Sequence, residues 1–236
     1  MTTKMIEGTN KEVSAWVTYN FGAYNKWDDK EQWIRITEGC PNQCQYCYEP
    51  SEIKVFGTPD IIRNKVKIMD MNLLCKPEAL DIIKHLGSQK VNNKVVYYEL
   101  ICGIDFRFLT LEIAEALKKA RFKNLRLAWD GSFADQKKIK EAILLLKDAG
   151  YRTHKHCQIM IFMICNWKIS FDDCCRKMDL CKVHGVTISD CYYDNQTSPN
   201  FKPIYWTLDE MKKFRKKVRK HNQLVTFGID PEYKGD

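Results

Sequence analysis

The chain has 236 residues, a net charge of +8 and 44% hydrophobic residues. That length and apolar content suffice to bury a full core, which excludes a disordered chain and points to one domain. No apolar stretch is long enough for a membrane span, and the N-terminal MTTKMIEGTNKEV has no apolar secretory segment, so no membrane association is expected. Eleven cysteines in a chain of this length do not read as a secreted disulfide framework. Several sit in apolar runs such as QIMIFMIC, where a free thiol behaves as a small hydrophobe. A reducing, cytoplasmic setting is expected.

The first β-like run, 32–37, leads straight into the loop ITEGCPNQCQYCYEP. Thr58 and Pro59 predict a short helix over 59–64, with the threonine as cap and proline at its first position. The second run, 66–69, ends in Asp70-Met71-Asn72, and 77–86 reads as a helix stopped by Gly87. The third, 95–101, ends in Cys102-Gly103-Ile104-Asp105-Phe106-Arg107, after which Thr110 caps the helix LEIAEALKKA. The fourth, 125–128, ends in Trp129-Asp130-Gly131 before a strongly periodic helix over 135–149 that closes at Gly150.

The fifth run, 158–164, ends in Cys165-Asn166-Trp167. Ser170 and Asp173 open the next helix, which Gly185 ends. The sixth, 186–189, precedes CYYDNQTSP. Thr207 and Glu210 then form a capping box for a helix whose segment MKKFRKKVRKH carries seven lysines and arginines. A solvated face and a phosphate-binding face both suit such a helix. A last run, 224–227, predicts a strand that closes or flanks the sheet. Strands alternating with helices predict an α/β fold with a parallel sheet, a flat doubly wound sheet being one form of it. The expected division is an extension over 1–31 packed on the core, the core itself over 32–206, and a basic helix with a short strand over 207–236.

Three cysteines of the first loop, Cys40, Cys44 and Cys47, stand in the order C-x₃-C-x₂-C. Soft thiolates so close in sequence suit three corners of a [4Fe–4S] cluster, with the fourth iron open to a small molecule. Zinc with a distant fourth ligand and buried apolar thiols are the alternatives, though no second C-x₂-C or H-x₃-H follows. In parallel α/β folds ligands bind beyond the carboxyl ends of the strands. The polar residues found there are Asp70, Asn72, Asp105, Arg107, Asp130, Asn166 and Asp194, each of which also suits a helix cap or a polar loop. Cys102, at the mouth of the third strand, reads as a hydrogen-atom donor or as a buried filler. Cys174, Cys175, Cys181 and Cys191 match no defensible second-cluster spacing; Cys174 and Cys181 share a helix face, whereas Cys175 points away.

With the aromatic Tyr46 before its last cysteine, the motif resembles the signature of the radical S-adenosylmethionine (radical SAM) superfamily. The resemblance implies a partial (β/α)₆ TIM-like barrel, with Cys40, Cys44 and Cys47 as ligands of a [4Fe–4S] cluster and SAM chelating the open iron. It also implies reductive cleavage of SAM to methionine and a 5′-deoxyadenosyl radical that takes hydrogen from a substrate. The electron would come from a donor such as flavodoxin or ferredoxin. Tyr46, Asp70, Asn72, Asp105, Arg107, Asp130, Asn166 and Asp194 become the expected cofactor contacts.

The segments IMDMNLLCKPEALDII and ELICGIDFRFLTLEIAEALKKARFKNLRLAWD look like the catalytic domain of cobalamin-dependent radical SAM proteins and their methylthiotransferase relatives. The likeness covers roughly residues 33–196, of which only the cysteine motif is highly specific. Asp70-Met71-Asn72 stands where the family usually has Gly-Gly-Glu for the SAM ammonium. Only about 30 residues precede the first strand, fewer than a cobalamin-binding domain needs, and no RNA-binding domain is expected after the core. Nucleic acid (through the basic helix and Tyr192, Tyr193, Tyr205 and Trp206), a protein or peptide, and a metabolite are the substrate classes considered. A glycyl-radical enzyme activase is a further class, and a non-catalytic iron–sulfur or zinc protein is the alternative to an enzyme.

Overall fold

Strand order follows chain order throughout the parallel part of the molecule. The computed structural model describes residues 22–44, 46–47, 49–192 and 206–228; Asp194, Tyr193 and Tyr205, expected at the site or against a substrate, lie outside them. Strand β1 (Tyr24–Trp27) lies antiparallel on the edge of β2 (Gln32–Arg35). Parallel strands β3 (Lys65–Ile68) and β4 (Tyr97–Leu100) continue that sheet. A second sheet carries β5 (Ile104–Asp105), β6 (Leu125–Ala128), β7 (Ile159–Ile164) and β8 (Thr187–Cys191), all parallel.

The chain passes from one sheet to the other through the turn between β4 and β5. Gly103 sits there with a φ of +96°, and a Cβ on it would lie 3.1 Å from the Arg126 carbonyl oxygen, so glycine serves both the backbone angle and the approach. Arg126 Nη1 fixes the turn by donating to the Ile101 carbonyl at 2.7 Å. Below the turn Tyr98 bridges to Phe122 in parallel sense, which ties β4 to the lead-in of β6. A doubly wound sheet reverses its strand order at a switch point, and no such reversal occurs among the described residues. Among the described residues no pairing joins β8 back to the first sheet, so the array is open.

Five α-helices follow the strands: α1 (Ala79–Ser88), α2 (Leu111–Lys119), α3 (Gln136–Asp148), α4 (Phe171–His184) and α5 (Leu208–Phe227). Each packs against the next. Their apolar stripes meet the inward side chains of the strands, where Ile159, Ile161 and Met163 alternate with half-buried neighbours. Thr110 and Ser170 accept hydrogen bonds from Ile113 N and Asp173 N, and Thr207 and Glu210 make the reciprocal capping box. Gly150 and Gly185 end α3 and α4 at φ of +89° and +60°.

Three local expectations are corrected. Residues 59–64 form no helix, because the buried Gln32 side chain bonds the extended chain there, donating to the Asp60 carbonyl and accepting from Ile62 N. Among the described residues five α-helices therefore accompany the seven parallel strands. Gly87 does not stop α1 but lies within it, where a Cβ would meet the Ala120 Cβ at 3.0 Å; it lets α1 and α2 approach closely. The expected strand over 224–227 is the last turn of α5, whose buried residues Phe214, Val218, His221 and Val225 recur at helical spacing. Burying an apolar side chain of this kind contributes about 1.5–3 kcal/mol. A short hairpin pairs Lys90–Val91 with Lys94–Val95 across Asn92 and Asn93, both at positive φ.

Trp206 is 3% exposed, packs on Phe171 and Phe214 and donates to the Ile169 carbonyl, so it is a core residue and not a platform for a base. Among the described residues no helix is long and apolar enough to cross a membrane.

Candidate functional site

The cysteine loop leaves the carboxyl end of β2, the first parallel strand. Its base is closed by antiparallel pairing of Thr37 with Val55 and Glu38 with Lys54. Gly39 then takes a φ of +93°, and a Cβ at that position would fall 2.0 Å from the Glu52 carbonyl oxygen, so no side chain fits. Gly39 N donates to Glu49 Oε1 at 2.7 Å, Cys40 N to the Pro50 carbonyl at 2.8 Å and Cys47 N to the Cys44 carbonyl at 2.8 Å. Backbone bonds thus fix the loop at both ends and in its middle.

Asp70 anchors this loop from the end of β3. It is fully buried, and its carboxylate accepts from Ile36 N at 2.9 Å, Thr37 N at 2.8 Å and Thr37 Oγ1 at 2.6 Å. Burial pushes its pKa up, against the pull of those bonds. Its oxygens serve the strand leading to the cysteines, which leaves Asn72 to face the loop itself.

Two polar groupings tie the loop to the strand ends. In the first, Asn72 Nδ2 donates to Cys40 Sγ at 3.4 Å and to Asp105 Oδ2 at 3.2 Å, while Asn42 Nδ2 donates to the same oxygen at 2.6 Å. Arg107 makes a two-pronged pair with Asp105, both N···O distances being 2.8 Å. Burial works to raise the Asp105 pKa, but the Arg107 and Asn42 bonds outweigh it and hold the carboxylate below its usual range. Asn72 Oδ1 is buried with no hydrogen-bond partner. Such an orphaned acceptor is costly and fits a donor cation bound beside Cys40.

In the second grouping, Tyr46 OH donates to Asp130 Oδ2 at 3.0 Å, and Ile164 N donates to Oδ1 at 3.2 Å. Burial, with Asp130 next in effect, raises the Tyr46 pKa well above that of a free phenol, so the phenol keeps its proton. Burial also raises Asp130, partly offset by the Tyr46 bond and the Lys177 charge. Lys177, fully buried on α4, donates to the Trp129 carbonyl at 2.8 Å. The Trp167 ring stands edge-on to Tyr46 at 6.3 Å. Asn166 is fully buried at the end of β7.

All three motif thiols are half-buried. Cys40 and Cys44 both act on Cys47 electrostatically, although burial is the larger cause of its raised pKa. Cys40 is held well below the usual thiol range by a hydrogen bond from Cys75, opposed by burial and aided by Asn72 and the Lys76 charge. A thiolate is the form that ligates a metal, so the donor chemistry fits a soft cluster. Among the described residues no three His, Cys, Asp or Glu side chains converge into a ready metal site, the motif included.

The remaining cysteines divide by burial. Cys174 and Cys181 are fully buried on the core face of α4, whereas Cys175 is half-buried and accepts from Lys217. Cys102 faces the Met69 carbonyl at 3.5 Å, and burial pushes its thiol up to about 12. Asn42, Glu49, Cys75, Lys76 and Lys177 were not singled out from sequence. Asn42 and Glu49 lie inside the motif loop, and that position was their one available signal.

No protein-family model matches the chain, and no curated protein matches it. Among solved structures, the fold is similar to that of TsrM, a radical S-adenosylmethionine methyltransferase from Kitasatospora setae with cobalamin and a [4Fe-4S] cluster bound. The TM-score is 0.54 at 10% sequence identity, a likeness of fold alone. The matched region spans 73% of this chain and 38% of TsrM.

Proposed function

We propose that the chain is a radical SAM-type enzyme, with Cys40, Cys44 and Cys47 holding a [4Fe–4S] cluster and SAM bound beside it. The parallel array is read as a partial (β/α)₆ barrel whose first strand carries the cysteine loop. One observation supports the reading most: the buried, unpartnered Asn72 Oδ1 stands next to Cys40, on the strand end where the SAM ammonium is expected. The fold likeness to TsrM supports it at the level of architecture.

When bound, the cluster and SAM supply a one-electron cleavage that yields methionine and a 5′-deoxyadenosyl radical able to abstract hydrogen. The protein's own part is positioning. Asn72 Oδ1 would accept from the ammonium, while its Nδ2 keeps Cys40 Sγ and Asp105 in register. Arg107 and Asn42 hold Asp105 as a carboxylate. Tyr46, bonded to Asp130, draws the loop over to the second sheet. The electron comes from an external donor of the flavodoxin or ferredoxin kind. Methyl transfer is not part of the proposal.

The test is electron paramagnetic resonance of the anaerobically reconstituted, reduced protein with and without SAM. A cluster signal that changes on SAM addition is expected. An unchanged signal at saturating SAM would leave an electron-transfer or structural cluster instead.

A further inference from the structure

Lys76 is 3% exposed, a burial that lysine rarely accepts without compensation. It follows the short 3₁₀ turn Leu73–Cys75 at the end of β3. Its Nζ donates to the Gly39 carbonyl, one residue before Cys40, and to Cys75 Sγ at 3.2 Å. Cys75 Sγ lies 3.1 Å from the Asn72 carbonyl oxygen, and its thiol acts on the Cys40 sulfur, lowering the Cys40 pKa. Among the described residues no carboxylate forms an ion pair with Lys76; Glu49 acts on it only through the field. A buried ammonium held by a carbonyl and a sulfur, with no carboxylate paired to it, is a positive charge available to an anion bound nearby.

We propose that Lys76, with Cys75 as its link to the Cys40 sulfur, is the countercharge of the iron–sulfur site and raises the reduction potential of the cluster. This rests on the cofactor reading above. A cube held by three thiolates is anionic, and reduction makes it more so. A fixed cation in a dry site favours the more negative state, and donors aimed at a ligating sulfur act in the same direction. Lys76 and Cys75 are therefore positioning residues, since neither touches the substrate. The same lysine binds the carbonyl of the glycine that starts the loop, so one side chain both shapes the loop and sets its charge.

The experiment compares the reconstituted full-length protein with Lys76→Met and Cys75→Ala by anaerobic potentiometric titration read by electron paramagnetic resonance. In Lys76→Met the ratio of reduced to oxidised cluster at fixed potential should fall at least tenfold, which is ~59 mV for one electron. Cys75→Ala should shift in the same direction by less, with iron content equal to wild type. A Lys76→Met cluster with the wild-type potential overturns the proposal. If Lys76→Met assembles no cluster, Cys75→Ala decides: an unmoved potential there, or a loss of iron that makes Cys75 a ligand, overturns it. A wild-type protein that takes up no iron defeats the cofactor reading first, a result distinct from an unshifted potential.

Discussion

Replacing Asp70 by asparagine should destabilise the apoprotein while hardly changing the shape of the side chain. The native carboxylate accepts from two backbone N–H groups and one hydroxyl, split between its two oxygens. An amide has one acceptor oxygen, so whichever way it turns, one N–H of Ile36 or Thr37 faces an NH₂ group. Each buried donor left unmatched costs about 1–3 kcal/mol. Removing a charge whose burial is unfavourable returns part of that, which leaves a net loss of about 2 kcal/mol. With a urea dependence of roughly 1–3 kcal/mol per molar, the midpoint should fall by about 1 M. The assay is urea unfolding of metal-free protein under reducing conditions, followed by circular dichroism, so that no cofactor enters the comparison. A midpoint within about 0.2 M of wild type would refute the reasoning from paired donors.

Asn72→Ala should weaken SAM binding tenfold to a hundredfold, from loss of a bond to a charged group at about 1.5–3 kcal/mol, while iron content stays near normal; calorimetry and iron assay check it. Gly39→Ala should cost at least about 1–2 kcal/mol from the left-handed backbone alone, and the contact with the Glu52 carbonyl should displace the loop, so reconstitution should yield little iron. Asp105, whose folded pKa is depressed, contributes stability above its unfolded value of 3.8 and loses it as pH falls through the folded value. Asp105→Asn should therefore be less stable than wild type at pH 7, with the gap closing in strongly acidic urea titrations. In the metal-free protein at neutral pH, iodoacetamide should label Cys40 ahead of Cys75, whose thiol is held high by its bond to Cys40.

The parts of the fold legible in the sequence were those with local causes. Thr110, Ser170 and Thr207 stand immediately before apolar-periodic runs and cap as their chemistry predicts, and Gly150 and Gly185 take the left-handed angles expected at helix ends. The errors arose where a distant partner decided. Thr58-Pro59 carried a helix signal, but the side chain of Gln32 claims the backbone on either side of Ile61. The run Leu224–Phe227 carries β-propensity, but Val225 continues the buried stripe of Phe214, Val218 and His221. At the site, the spacing of Cys40, Cys44 and Cys47 marked the loop, and alternation of strands with helices put Asn72, Asp105 and Asp130 at one end. Lys76 and Lys177 were invisible, because a lone lysine in a helical or loop segment reads as solvated until the packing around it is seen.

The central claim is an iron–sulfur site that cleaves SAM. Its most direct test is product release from the anaerobically reconstituted, reduced protein incubated with SAM. The account predicts about four irons per chain, with 5′-deoxyadenosine and methionine formed together, and no product from Cys40→Ala, Cys44→Ala or Cys47→Ala. A protein that retains a single zinc after cluster rebuilding, or one that holds its iron yet leaves SAM intact, would contradict it.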